Sequence, residues 1–321
     1  MTNMSRRKIL QIGAGGSLVF LNSLQRMLAA DQKPVRKFTL DLRCSSIGVA
    51  VNQAAAIDLA HRFQFESVAA DPTYLAELTN DSMAQLLGGM QEKKIVWGAA
   101  DLGVEFRQDE RAFKHGIEVL PRLASGLQRA GVTRVGTWLS PAHNDLTYTA
   151  NFRQHKKRLA TIANILRDHG LRIGLEYVGP KTSWTSKRYS FIHTMAETQE
   201  LIGEIGVDNV GLVLDSWHWY TAQESVEAIL ALKNSQVIAC DLNDAPAGLA
   251  VDQQIDNRRE LPAATGVINV KEFLSALIHI GYDGPVRAEP FNKVVNEMAD
   301  EAAVAATKDA MQNAFAKIDY R

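Results

Sequence analysis

From Lys37 onward, short apolar runs alternate with longer segments of helical periodicity, and this predicts an α/β fold. Eight such units in a chain of 321 residues point to a closed (β/α)8 barrel, a TIM barrel, in preference to an open doubly wound sheet. Two further observations agree. No Pro/Gly/Ser-rich linker interrupts the series, so residues 36–321 read as a single domain. Four successive strand candidates in the C-terminal half each finish on a carboxylate, and a barrel gathers the carboxyl ends of its strands at one mouth.

In chain order, the predicted strands are Phe38 to Arg43, Ser67 to Ala70, Ile95 to Ala100, Arg134 to Leu139, Arg172 to Tyr177, Asn209 to Leu214, Gln236 to Leu242 and Pro285 to Glu289. Helices fill the gaps. Asp109 to Ala130 places Phe113, Ile117, Leu120, Leu123 and Leu127 on one face, and Ala150 to His169 does the same with Leu159, Ile162, Ile165 and Leu166. Gly131 and Gly170 follow as stop signals. A last helix is expected over about Val294 to Ile318.

Hydrophobic residues at 46% and charged residues at 22% allow a core of barrel size. A formal net charge of −1 without a basic run in the body of the chain argues against a nucleic-acid partner, and a small molecule is expected instead. Cys44 and Cys240 are the only cysteines and read as free thiols on strands.

Residues 1–35 differ from the rest. Ser5-Arg6-Arg7-Lys8-Ile9-Leu10 precedes a Gly-rich, weakly apolar stretch and resembles a twin-arginine export signal. The resemblance implies an exported, periplasmic protein with no stable membrane anchor after processing, although Met27-Leu28-Ala29-Ala30 lacks a clean Ala-x-Ala cleavage site. Gly13-Ala-Gly15-Gly16 is not a dinucleotide loop, because no strand precedes it and no acidic ribose partner follows at the right distance.

The chemistry is expected where the strands end. Glu176 closes Arg172-Ile-Gly-Leu-Glu176, Asp215 closes Val210-Gly-Leu-Val-Leu-Asp215, Asp241 closes Val237-Ile-Ala-Cys-Asp241, and Glu289 closes Pro285-Val-Arg-Ala-Glu289. Four carboxylates at one mouth repel one another unless a cation sits among them. An all-oxygen set favours one divalent ion of hard or intermediate character, Mn2+ first, with Mg2+, Co2+ or Zn2+ as alternatives. Two glutamates on opposite sides of a substrate can also serve as acid and base while the metal stabilises an enediolate. Trp97, Trp138, His143 and Trp184 lie at or just after strand ends, where they can stack on a sugar ring or pack beneath the loops.

Gly174-Leu-Glu176, Leu214-Asp215-Ser-Trp-His218, Leu242-Asn-Asp244-Ala-Pro246, Arg259-Glu-Leu-Pro262 and Gly281-Tyr-Asp-Gly-Pro285 together resemble the xylose-isomerase-like superfamily of sugar isomerases and epimerases, over about Phe38 to Phe291. The resemblance implies that Glu176 and Glu289 are catalytic acid and base as well as metal ligands, and that Asp215 is the central ligand. It also implies that His218 and Arg259 contact substrate. The usual ligand at the end of strand seven is a histidine, and Asp241 stands there instead. Four anionic ligands leave a net charge near −2 on a divalent site, which calls for one protonated acid or for compensation by Arg258, Arg259 or Lys181; the alternative is that Asp241 turns away and leaves a three-ligand or metal-free site. Lys181 and Trp138 complete the expected substrate contacts. Asp244 reads as a loop-capping residue.

The function these features imply is proton transfer next to the carbonyl of a sugar or keto-sugar, by an isomerase or epimerase. Alternatives that keep the site are a keto-sugar dehydratase or 3-keto-glycoside β-eliminating lyase, and a non-catalytic sugar-binding barrel. The endonuclease branch of the superfamily needs histidine-rich zinc clusters and a basic groove, and the sequence has neither. A homo-oligomer is compatible with all of these readings.

Overall fold

The computed structural model describes residues 35–320. The segment read as an export signal therefore lies outside the described residues, save for Val35. Residues 36–318 form one compact unit.

Eight strand positions close into a ring. They are β1 (Thr39–Leu42), β2 (Ser67–Val68), β3 in two pieces (Val96–Trp97 and Ala100–Asp101), β4 (Arg134–Trp138), β5 (Arg172–Glu176), β6 (Val210–Asp215), β7 (Val237–Leu242) and β8 (Pro285–Ala288). All neighbours are parallel, in the order β3-β2-β1-β8-β7-β6-β5-β4-β3. The first piece of β3 pairs with β2 and the second with β4, so the ring closes through a broken strand. The fold is the predicted α/β barrel.

The break in β3 has a local cause. A Cβ at Gly98 would collide with the carboxylate of Asp41, a buried acid on β1. The backbone there has no room for a side chain.

The two long predicted helices are present as Glu110–Ala130 and Tyr148–Asp168. Asp109 caps the first by accepting from the Ala112 amide, and Gly131, at φ 76°, ends it in the left-handed region that glycine adopts without strain. The expected last helix is divided into Lys293–Asn296 and Asp300–Phe315. The Asn292 side chain accepts from the Val294 and Val295 amides and starts a single turn, and the backbone is extended at Ala299 before the longer helix begins. A two-residue antiparallel ribbon joins the loops after β4 and β5, Ala142–His143 with Tyr189–Ser190. No helix among the described residues is long and apolar enough to cross a membrane.

The register places charge inside the barrel. Asp215 pairs across with Asp241, Asp241 with Arg287, Arg287 with Asp41, and Asp41 with Ser67, so one row crosses five strands. In a parallel sheet covered on both faces such residues persist only when paired.

Candidate active site

β6 ends at Asp215, whose Oδ1 accepts from the Trp217 amide at 2.7 Å and so caps the short helix Ser216–Thr221. That helix turns His218 back over the strand end. The same oxygen accepts from Asn243 Nδ2 at 2.9 Å, while Asn243 Oδ1 accepts from the Glu289 amide at 3.0 Å. A single asparagine after β7 thus ties the acids of β6 and β8 together.

Three arginines meet three of the four strand-end acids. Arg259 Nη1 donates to Asp215 Oδ2 at 2.7 Å and lies 3.3 Å from Glu289 Oε2. Its Nε and Nη2 donate to the Asp256 carbonyl and carboxylate, both at 2.9 Å. Arg43 Nη1 donates to Glu289 Oε1 at 2.7 Å. Arg287 Nε donates to Asp241 Oδ1 at 2.6 Å, with Nη2 3.3 Å from Oδ2. Glu176 differs from the other three: it is 9% exposed, and its Oε1 has no hydrogen-bond partner among the described residues.

The environments act on the acids unequally. Burial, then the nearby charges of Glu289, Asp241 and Asp215, pushes Glu176 well above the usual carboxylate range. Burial raises Asp215 to about 7 against the opposing pull of Arg259. Glu289 is raised by burial and by Asp241, with Arg43, Arg259 and Arg287 working against the shift. His218 is pushed down to about 3 by burial and by Arg259. Nδ1 accepts from the Gly179 amide at 3.2 Å, and Nε2 lies 3.2 Å from Arg259 Nη2; a donor on one ring nitrogen and a guanidinium beside the other disfavour the imidazolium.

The residues fit a divalent cation. Ligand atoms of Glu176, Asp215 and His218 lie within 4.8 Å of one another, and so do those of Glu176, Asp241 and Glu289. Glu176 is common to both sets and brings the unpartnered buried oxygen. Counter-charge comes from Arg259, as expected, together with Arg43 and Arg287; Arg258 is exposed, and Lys181 Nζ sits on Asp252 at 2.6 Å.

A cavity of about 570 Å3 opens over these groups, lined by Trp138, Glu176, His218, Arg259 and Glu289 among others. Lys187 lines it, whereas Lys181 does not. Trp138 is 46% exposed on its wall, under the guanidinium of Arg107 at 4.3 Å. The other aromatic candidates are engaged elsewhere. Trp97 Nε1 donates to the Ala130 carbonyl, Trp184 stacks on His193, and His143 Nδ1 accepts from the Asp145 and Leu146 amides. Asp244 accepts four amides, from Ala245, Thr265, Gly266 and Ile268, and anchors the loop before the next helix.

Sequence reading missed Arg43, Asn243, Asp256 and Arg287. Arg287 had a signal, a charge in the middle of a buried strand, which demands a partner.

A family model described as the xylose isomerase-like TIM barrel matches residues 57–314. The chain belongs to that family. Among curated relatives, this xylose isomerase-like barrel is 26% identical over 163 residues to an inosose isomerase of Halalkalibacterium halodurans, a match covering 50% of the chain and 53% of the relative. It is 25% identical over 208 residues to a ketose 3-epimerase of Arthrobacter globiformis, covering 62% and 63%. The chain thus spans about half the length of the inosose isomerases it matches. Among solved structures, a xylose isomerase domain protein from Alicyclobacillus acidocaldarius superposes with a TM-score of 0.75 at 26% identity, covering 89% of this chain and 99% of that one.

Proposed function

We propose that the protein is a metal-dependent isomerase or epimerase that moves a proton next to the carbonyl of a sugar or keto-sugar. The observation that carries this reading is the contrast between two buried glutamates on the same cavity. Glu289 is held by two arginines, whereas Glu176 Oε1 has no hydrogen-bond partner among the described residues. Environments that separate two carboxyl groups in this way assign them different proton states. Glu289, held by Arg43 and Arg259, takes the proton from the carbon beside the carbonyl; Glu176 delivers one from the carboxyl oxygen that would not ligate the ion. Arg259 and neutral His218 orient the substrate oxygens between them. A divalent ion, Mn2+ ahead of Mg2+, Co2+ or Zn2+, would be held by Glu176, Asp215, Asp241 and Glu289, and supplies when bound a Lewis acid for adjacent substrate oxygens. The names of the inosose isomerase and ketose 3-epimerase relatives support the reaction class.

Incubating a panel of ketoses and inososes in deuterated water tests this. Wild type should place solvent deuterium next to the carbonyl, and Glu176→Gln and Glu289→Gln should lose about 10²-fold or more in rate with the fold retained. Full exchange in both variants would sink the proposal. Loss of water or of a glycosyl leaving group in place of epimer formation would move the protein to the lyase reading, which uses the same proton abstraction. We also read residues 1–35 as a twin-arginine export signal, supported by Arg6-Arg7 before the Gly-rich stretch. Cell fractionation of wild type against Arg6→Lys/Arg7→Lys should show periplasmic protein only with the arginines intact.

A further inference from the structure

Asn243 follows the last residue of β7 and is fully buried between the acids of β6 and β8. Its side chain meets opposite demands at its two ends. Toward β8 lies the amide of Glu289, which comes just after the last residue of that strand and needs an acceptor; Asn243 Oδ1 supplies it at 3.0 Å. Toward β6 lies the carboxylate of Asp215, which needs a donor; Asn243 Nδ2 supplies it at 2.9 Å. A carboxamide offers both functions, and the two partners fix which end is which. An aspartate there would bring no donor, and a leucine neither group.

The main chain of Asn243 is braced as well. Ser216 Oγ accepts from its amide at 2.8 Å and donates to its carbonyl at 3.0 Å, and Ser216, the neighbour of Asp215, is equally buried. The consequence falls on Asp215. Its Oδ1 takes two donors, the Trp217 amide at 2.7 Å and Asn243 Nδ2, so both lone pairs of that oxygen are used. Its Oδ2 accepts from Arg259 Nη1 at 2.7 Å and keeps a second lone pair. That oxygen lies 3.8 Å from His218 Nε2, which is in turn 3.9 Å from Glu176 Oε1.

We infer that Asn243, braced by Ser216, is a positioning residue that turns Asp215 so that Oδ2 alone is offered to a divalent ion, and that holds the main chain of Glu289 beside it. This rests on the metal-dependent reading of the site. Replacing a residue that orients metal ligands in this way changes ion affinity by about 10–100-fold. The test uses the full chain with Mn2+ or Co2+ alone, which reads binding without turnover. Asn243→Leu keeps the branched shape and removes both hydrogen-bonding functions. Its Mn2+ dissociation constant, by calorimetry, should rise about tenfold or more, and the visible absorption of its Co2+ complex should differ from that of wild type, because Oδ1 is freed. Ser216→Ala, a smaller deletion that leaves the Asn243 side chain in place, should move both readouts in the same direction by less. A role in folding alone would lower the melting temperature in EDTA and leave the Co2+ spectrum of the folded protein unchanged. A wild-type Co2+ spectrum or Mn2+ affinity in folded Asn243→Leu would overturn the inference and leave the metal-dependent reading standing. Should that variant not fold, wild-type values in Ser216→Ala would do the same. Absence of Mn2+ and Co2+ binding by the wild-type chain would remove the metal-dependent reading and this role with it.

Discussion

Replacing Arg287 with Met should destabilise the barrel far more than replacing Arg287 and Asp241 together. The two side chains are fully buried register partners on β7 and β8, joined at 2.6 Å through Nε and Oδ1. Removing the guanidinium alone leaves a buried carboxylate facing Glu176 and Glu289, and breaking such a pair costs roughly 3–5 kcal/mol. At roughly 2 °C or more per kcal/mol for a domain of this size, the melting temperature of Arg287→Met should fall by roughly 6 °C or more. The double variant Asp241→Asn/Arg287→Met removes both charges, and its cost should stay within about 1–2 kcal/mol, since buried ion pairs replaced as a unit are often near neutral. The assay is thermal and urea unfolding followed by circular dichroism at pH 7 with EDTA, so that a bound cation does not contribute. A single variant within about 1 kcal/mol of wild type, or a double variant as damaged as the single, would refute the reasoning. The first result would mean that Asp241 finds solvent or another cation, and the second that Arg287 matters for packing and not for charge.

Asp41 gives a pH test: burial raises its carboxyl to about 6, so the folded chain binds a proton that the unfolded chain has released, and stability falls as pH rises from about 4 to about 6. Asp41→Asn should therefore gain on wild type across that window by on the order of 3 kcal/mol, read as the difference in urea midpoints with EDTA, and a pH-independent difference would count against it. Adding Mn2+ at about 100 times its dissociation constant should stabilise wild type by about 2.7 kcal/mol; EDTA should reverse the shift and Glu176→Gln should abolish it. Arg259→Lys keeps the charge but loses the fork that reaches Asp215, Glu289 and Asp256 at once, so kcat/KM on any sugar substrate should drop by about tenfold or more, and an unchanged value would show that one ammonium contact suffices.

All eight strands were legible in the sequence because each is a short apolar run bounded by helical periodicity, and the four strand-end acids followed from the strands. Their counter-ions were not. Arg43 and Glu289 are 246 residues apart, and Arg287 and Asp241 are 46 apart, so only ring closure and register bring them together. The sequence shows that Arg287 lies on a strand without showing which acid lies beside it. Arg259 was legible through a motif, whereas Lys181 and Lys187, six residues apart in one loop, differ only in which way the backbone carries them, and local propensity does not determine that. The break in β3 was hidden for the same reason, since it answers to a side chain on β1.

That break sets where the ring should first open. β2 and the two pieces of β3 contribute two residues each to the ladder, whereas β6 and β7 contribute six each, and the proposed acid and base stand on β5 and at the end of β8. Amide protons around Val96–Trp97 and Ala100–Asp101 should exchange with solvent at opening free energies well below those of β6 and β7. The half of the ring that carries most of the acids then keeps its geometry while the opposite seam breathes, so fluctuation is confined to the side where the chain has least to position.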